Sequence, residues 1–235
     1  MSTLLLVRHG LTAMTGPVLA GHTPDVHLDE RGHKQAAAVA ARIAVLPVST
    51  IVTSSLDRCA ETAAAIRGAQ VEAGRDPEWH IDDSLIECRY GDWTGQPIKE
   101  LTKDPLWKVV QAQPSAARFP NGESLSEVSA RAVAAVRAWN ARLDEDAVWV
   151  ACSHGDVIKA VLADALGLHL DQFQRIAVDP CSVSVVRYTT ARPYVLRSND
   201  IGGDLSGFAP SKRRRRNKAA AADATVGGGA GGGQV

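Results

Sequence analysis

The chain has 235 residues, of which 45% are hydrophobic and 22% charged, and its formal net charge at pH 7 is zero. That length suits one large α/β domain, and no apolar run approaches the roughly 18–20 residues that a membrane span needs. The zero charge hides an asymmetry, because residues 1–210 carry five more acidic than basic side chains while positions 212–218 hold six lysines and arginines. An acidic body does not favour nucleic acid, and we expect no such partner.

The first half of the chain alternates predicted strands with predicted helices. An apolar strand over about 3–8 is followed by a loop over 10–28, which is long enough to suggest a functional role. Asp29 is a suitable N-cap for a helix over about 30–45 with one apolar face. A second strand is predicted at 50–53, and Ser54-Ser55 is predicted to cap the helix after it.

The second half continues the alternation. We predict a third strand at 79–82, a turn-rich segment over 91–105 with one helical turn near 98–101, and an amphipathic helix from Ser124 to about Leu143. A fourth strand at 147–152 leads into a helix over about 156–166, and the last strands are predicted at 182–188 and 194–198. Long apolar strands separated by helices indicate an α/β fold with a mainly parallel sheet.

Regular patterning stops near residue 202. We predict a domain over 1–204 and a disordered tail over 205–235, because the basic cluster, the alanines and the glycine run 227–233 cannot bury enough surface to fold. The cluster could bind an anionic membrane surface or RNA, but a solvated extension fits the composition better. The N-terminal residues lack a basic segment followed by a long apolar region, so a cytoplasmic protein is expected. The four cysteines form no C-x-x-C pair and are interpreted as small buried residues.

Two histidines stand directly after apolar strands. His9 and His154 should therefore face the crevice beyond the carboxyl edge of the sheet, where open α/β sheets bind ligands. A neutral imidazole can attack phosphorus, and the phosphoryl oxygens then need fixed positive donors. Arg8 and Arg58 are candidates for that role, although a bulge is needed to turn Arg8 towards His9. Either histidine alone would more often be a packing residue, and their joint position favours the chemistry.

A phosphoryl transfer from an alcohol also needs a proton for the leaving oxygen. Glu87 is a candidate general acid, since a carboxyl of raised pKa can supply that proton. Taken alone this assignment is weak, because Asp82, Asp83 and Asp92 are close in sequence. An ordinary surface carboxylate is an equally good interpretation of Glu87.

Five short motifs occur in one order along the chain. They are Arg8-His9-Gly10-x-Thr12, Leu28-Asp29-Glu30-x-Gly32-x-x-Gln35-Ala36, Ser54-Ser55-x-x-Arg58-x-x-Glu61-Thr62-Ala63, Glu87-x-x-Tyr90-Gly91-Asp92-Trp93-x-Gly95 and Ser153-His154-Gly155. With these motifs the sequence resembles the histidine phosphatase superfamily, the phosphoglycerate-mutase-like proteins, over about residues 3–200. It particularly resembles an actinobacterial branch of acid phosphatases or phosphomutases.

The resemblance implies a three-layer α/β/α sandwich with a mainly parallel central sheet and a phosphohistidine intermediate, with no metal or cofactor. It implies that His9 is phosphorylated, that Glu87 donates the proton, and that Arg8, Arg58 and His154 hold the phosphate. Leu11, Met14 and Thr15 replace the acidic residue, tryptophan and asparagine usual in the family. The predicted substrate-binding residues are Thr12, Thr15, Gly21, His22 and Gly155.

The stretch after Glu87 bears on the type of reaction. Family mutases resemble one another in a motif that ends in lysine and in a basic insertion. In this chain the motif lysine is missing, and Lys99, Lys103 and Lys108 are spread along the segment instead of forming a cluster. We therefore predict a phosphatase that hydrolyses a phosphomonoester. A phosphoglycerate mutase-type phosphomutase is the alternative, and a non-catalytic phosphate-binding regulator is a third. The expected partner is a small phosphorylated metabolite whose identity the sequence does not reveal, and a homodimer is left open.

Overall fold

The computed structural model describes residues 1–203 and 226–228 of the chain. Within them, six strands form one sheet in the order β3-β2-β4-β1-β5-β6. The strands are β1 (Ser2–Arg8), β2 (Val48–Thr53), β3 (Glu78–Ile81), β4 (Val148–Ser153), β5 (Val183–Tyr188) and β6 (Pro193–Asp200). Strands β1 to β4 pair in parallel, and β5 and β6 add an antiparallel edge beside β1. The predicted mainly parallel sheet is confirmed.

Helices cover both faces of the sheet, as the predicted three-layer sandwich requires. They are α1 (Glu30–Ile43), α2 (Asp57–Glu72), α3 (Ile98–Leu101), α4 (Pro105–Ala112), α5 (Leu125–Arg142) and α6 (Gly155–Ala165). Alternate residues of β1 point to opposite faces, so that Leu5 and Val7 pack with α1 and α2. Leu4 and Leu6 pack in a second cluster with α5 and α6. Two cores therefore enclose the sheet.

Two of the predicted helix N-caps are confirmed, one is wrong, and one helix is not predicted from the sequence. Asp29 caps α1 by accepting a hydrogen bond from the Gly32 amide at 2.7 Å, and Ser124 caps α5 in a reciprocal capping box. The predicted Ser54-Ser55 cap of α2 is wrong, because Leu56 occupies that position without a side-chain bond. Helix α4 is not predicted from the sequence: Asp104 caps it by accepting a hydrogen bond from the Leu106 amide, and Pro105 is its first residue.

The predicted domain boundary at 204 and the predicted disorder of 205–235 lie almost wholly outside the described residues, and they stay predictions. Three residues of that range, 226–228, are described, and they form a short turn in which Val226 is only 2% exposed. The prediction of small buried cysteines is confirmed, since all four are buried and free. In the described part of the chain, none of the helices combines the length and the apolar composition that a membrane span needs.

A glycine of α1 brings that helix against the loop after His9. A Cβ atom added to Gly32 would lie 2.0 Å from the carbonyl oxygen of Leu11, which cannot move without shifting the backbone beside His9. We expect Gly32→Ala to lower the free energy of unfolding by about 1–3 kcal/mol through overpacking. Urea unfolding is the measurement.

Gly68→Ala is the matched control, because this residue lies in the exposed part of α2 and an added Cβ meets nothing within 4 Å. A methyl group there should stabilise the protein by roughly 0.5–1 kcal/mol by reducing backbone freedom in the unfolded chain. Equal effects of the two substitutions would contradict the close approach of α1 to the loop.

Candidate active site

A pocket with about 420 Å³ of empty space opens at the carboxyl edge of the parallel strands. Its lining residues come from the end of β1, the starts of α2 and α3, the loop 12–21, the segment around Glu87 and the described residues 226 and 227. They are Arg8, His9, Thr12, Thr15, Gly16, Val18, Leu19, Ala20, Gly21, Arg58, Glu87, Tyr90, Ile98, Val226 and Gly227. Four of the five predicted catalytic residues are thus in one pocket, and His154 lies behind it.

His9 is the first residue after β1 and is 5% exposed. Its Nδ1 lies 2.8 Å from the carbonyl oxygen of Gly10, so Nδ1 carries the proton and donates to that oxygen. The lone pair is therefore on Nε2. Burial lowers the pKa of His9 well below its ordinary value, and the charges of Arg58 and Arg8 lower it further. The imidazole is neutral at physiological pH and can act as a nucleophile.

Arg8 lines the pocket without the predicted bulge. Strand β1 pairs regularly with β4 as far as Arg8, which lies opposite Ser153. The side chain is buried, and its Nη1 donates to the carbonyl oxygen of Val178 at 2.8 Å. The expected backbone irregularity is wrong, because Arg8 is the last residue of its strand and its long side chain reaches the pocket wall from a regular position.

Arg58 reaches the same pocket from the first turn of α2, where the helix also presents the positive end of its dipole. The side chain is 2% exposed, and its Nη2 donates to the carbonyl oxygen of Gly21 at 2.7 Å. The same nitrogen lies 3.4 Å from Nδ1 of His154. Arg58 is therefore held in place from both sides before any ligand arrives.

His154 is fully buried between Arg58 and Ser54. Its Nε2 lies 2.8 Å from Oγ of Ser54, and its ring centroid is 5.2 Å from that of His9. Burial, followed by the charge of Arg58, lowers the pKa of His154 well below its ordinary value. The neutral ring therefore accepts from Arg58 through Nδ1 and donates to Ser54 through Nε2. The three predicted residues 9, 58 and 154 are together, but a direct bond from His154 to phosphate stays a prediction.

Glu87 lines the pocket with a carboxyl group that is almost entirely removed from water. Its Oε1 accepts a hydrogen bond from the Cys88 amide at 2.9 Å. Burial raises the pKa of Glu87 to about 7, the charge of Asp156 adds to this, and Arg58 and Arg8 oppose it. A carboxyl group that titrates near neutral pH can both give and accept a proton. The predicted role as general acid fits this environment.

Sequence reasoning missed Asp156, which follows His154 by two residues. The carboxylate is fully buried, and its Oδ2 accepts a hydrogen bond from the Tyr90 hydroxyl at 2.8 Å. Lys159 lies one turn along α6, with its Nζ 3.6 Å from Oδ1. The signal was available, because an acidic residue at the start of a helix that follows a buried strand has little access to solvent.

The predicted substrate-binding residues separate into two groups. Thr12, Thr15 and Gly21 line the pocket, and the two threonine hydroxyls lie 2.9 Å apart. His22 and Gly155 are not among the described lining residues. Nε2 of His22 instead contacts the carbonyl oxygen of Glu87 at 2.7 Å, which makes it a support for the acid.

One group of side chains outside the pocket has metal-ligating character. Asp25, His27 and Asp57 bring one ligand atom each within 4.8 Å of the others. Asp25 and His27 are exposed, and His27 pairs with Glu61 at 2.5 Å. None of the three lines the catalytic pocket, so this group has no part in the site described above.

Comparison with known proteins agrees with this geometry. The profile described as the histidine phosphatase superfamily (branch 1) matches residues 4–201. The chain is 32% identical over 192 residues to "Probable phosphoglycerate mutase GpmB" of Cronobacter sakazakii, covering 80% of this chain and 86% of that one. It is 28% identical over 207 residues to "Phosphoserine phosphatase 1" of Hydrogenobacter thermophilus, covering 85% and 92%. The solved structure "Bacillus stearothermophilus YhfR" gives a TM-score of 0.77 at 26% identity, covering 86% and 98%.

The raised pKa of Glu87 predicts a pH-dependent stability. Between its ordinary value of 4.5 and about 7, the folded protein keeps a proton that the unfolded chain has lost, so the folded state loses stability as pH rises through this window. Glutamine mimics the protonated form. We expect Glu87→Gln to unfold with a free energy up to about 3 kcal/mol higher than wild type at pH 8, and little changed at pH 4.5.

Urea unfolding at the two pH values measures this difference. Glu72→Gln is the control, because this residue lies at the exposed end of α2 and far from the pocket. It should change the stability equally at both pH values. A stability difference for Glu87→Gln that does not depend on pH would contradict the raised pKa.

Proposed function

This chain belongs to the histidine phosphatase superfamily, and we propose that it hydrolyses a phosphomonoester through a phosphohistidine formed on His9. One observation carries the proposal. A single pocket holds a neutral imidazole, two buried guanidinium groups and a carboxyl group whose pKa is about 7. These groups are a nucleophile, a binding site for the phosphoryl oxygens and a proton donor.

In the first step, Nε2 of His9 attacks the phosphorus atom in line with the ester oxygen. The new N–P bond forms as the P–O bond breaks, and the phosphoryl oxygens are held by Arg8 and Arg58. Protonated Glu87 gives its proton to the departing oxygen, so the product leaves as a neutral alcohol. The Nδ1–H bond to Gly10 fixes the imidazole ring throughout.

In the second step, water attacks the phosphohistidine. Glu87, now a carboxylate, accepts a proton from this water as the new P–O bond forms and the N–P bond breaks. Phosphate leaves, and His9 and Glu87 return to their starting protonation states. A pKa near 7 suits both halves of the cycle, because neither the acid nor its conjugate base is strongly disfavoured at neutral pH.

The distribution of positive charge favours hydrolysis over mutase activity. Among the described lining residues, Arg8 and Arg58 are the cationic side chains, and both lie at the end that would hold the transferred phosphoryl group. A phosphoglycerate mutase must also hold a second acidic group of its bisphosphate intermediate. Lys99, Lys103 and Lys108 are exposed outside the described pocket. Mutase activity is the second candidate, because a relative at 32% identity has the name of a phosphoglycerate mutase.

The purified protein should hydrolyse phenyl phosphate and show little mutase turnover on 3-phosphoglycerate. A phosphate label that is labile to acid and stable to base should appear on the wild type and be absent from His9→Ala. Phosphate release, isomer analysis and labelling of the intact protein are the three measurements. Clear mutase turnover with negligible hydrolysis would support the second candidate instead. No label and no turnover would favour the phosphate-binding regulator.

The role of Glu87 predicts a dependence on the leaving group. Glu87→Gln should reduce kcat/KM for an alkyl phosphate by about 10²–10⁴, the usual contribution of general acid catalysis. The reduction for a nitrophenyl phosphate should be much smaller, because that leaving group departs without protonation. Steady-state kinetics on both substrates, with Glu72→Gln as the control, test this. Equal losses on the two substrates would show that Glu87 is not the leaving-group acid.

The acid phosphatase or phosphomutase branch, the small phosphorylated metabolite as substrate and the cytoplasmic location stay predictions. A panel of phosphorylated metabolites, assayed for phosphate release, would identify the substrate most directly.

A further inference from the structure

Residues 226–228 pack against the active site although they lie far along the chain from the rest of it. They form one short turn beside α6, and Val226 is 2% exposed in the same hydrophobic cluster as Leu19 and Tyr90. The Gly227 amide donates a hydrogen bond to Oδ2 of Asp156 at 3.2 Å. That carboxylate oxygen also accepts the bond from Tyr90. The segment is therefore joined to the domain by an apolar contact and a buried polar contact.

The backbone conformation at residue 227 favours glycine, and the segment lies in close contact with the pocket wall. Gly227 has φ of +72°, in the left-handed region, and an added Cβ would lie 3.3 Å from Cδ1 of Leu19 and 3.6 Å from the hydroxyl of Tyr90. A larger side chain would combine backbone strain with a contact against two residues of the pocket wall. The sequence Val226-Gly227 thus suits the surface on which it lies.

The pocket has a charged end and an apolar end. Arg8, His9 and Arg58 define the first, whereas Leu19 and Val226 belong to the second. A phosphomonoester whose phosphoryl group occupies the charged end has to accommodate its alcohol part in the remaining space. Because residues 226 and 227 line the pocket, they take up volume that this part of the substrate would otherwise fill.

We propose that Val226 and Gly227 form a wall of the active site that restricts it to esters with a compact alcohol part. The inference rests on the proposed phosphatase function and adds a substrate class to it. An ester with a bulky alcohol has to displace the segment, which exposes Val226 to water and breaks the hydrogen bond to Asp156. Discrimination between small and bulky esters therefore comes from the C-terminal segment, residues 226–228, and not from the strand that precedes His9.

Two substitutions in the full-length chain remove the wall by different means. Val226→Asp places a charge in the apolar contact, and Gly227→Val places a branched side chain at a left-handed position against Leu19. Val45→Asp is the matched control, since that valine is 80% exposed and lies after α1. All three proteins keep residues 1–203 intact apart from the control position.

The readout is the ratio of kcat/KM for 1-naphthyl phosphate to that for phenyl phosphate. These esters have similar leaving groups and differ in size. We expect both wall variants to raise the ratio by about tenfold or more, within the range that a change of pocket size gives, and the control to leave it unchanged. Wall variants with an unchanged ratio would overturn the proposal, even if their overall activity changes.

A binding measurement separates this proposal from the phosphatase assignment. The dissociation constants of phenylphosphonate and 1-naphthylphosphonate, measured by titration calorimetry, need no turnover. A shift of their ratio in the wall variants, in a protein that hydrolyses neither ester, would retain the wall and reject the phosphatase. Hydrolysis of phenyl phosphate together with unshifted ratios would retain the phosphatase and reject the wall. Thermal unfolding of each variant verifies that the domain is intact.

Discussion

The parallel pairing of β1 with β4 is the constraint on which the site depends. Arg8 lies opposite Ser153, and the His9 amide continues the ladder by donating to the Ser153 carbonyl oxygen at 3.0 Å. Because the strands run in the same direction and end together, His9 and His154 emerge side by side at one edge. Strand β2 borders β4 on its other side and leads into α2, which brings Arg58 to the same edge. A one-residue shift in this register would separate the histidines.

Burial shifts the pKa values of His9 and Glu87 in opposite directions. It removes His9 and Glu87 from water, which disfavours the charged form of each. The arginines reinforce the effect on His9, and Asp156 reinforces the effect on Glu87. The result is a neutral base and a partly protonated acid at the same pH, which is the combination that a transfer through histidine needs. The hydrogen bond from the Cys88 amide, followed by the charges of Arg58 and Arg8, opposes this rise, and the pKa of Glu87 is about 7.

Features with a strong local period or a local cap were predictable from the sequence, and features made by distant contacts were not. The alternating strands, the Asp29 and Ser124 caps and the joint position of His9, Arg58 and His154 follow from local patterns and from the parallel topology. The sequence predicts a helix cap at Ser54, because no local pattern shows that its hydroxyl contacts His154 of the neighbouring strand end. The glycine-rich composition around residue 227 indicated only the absence of a core, and its contacts depend on a surface assembled by other segments.

The charged end and the apolar end of the pocket are built from different kinds of structure. The type of reaction and the choice of substrate therefore depend on different segments of the chain. Strand ends and a helix start fix the charged end, where sub-ångström placement matters for transfer. Loop residues and the turn at 226–228 form the apolar end, where segments can change with little effect on the sheet. Asp156 links the two ends, because its carboxylate accepts a hydrogen bond from the Gly227 amide and its charge also raises the pKa of Glu87. A substitution that releases the C-terminal segment therefore changes the surroundings of the proton donor as well as the space for substrate.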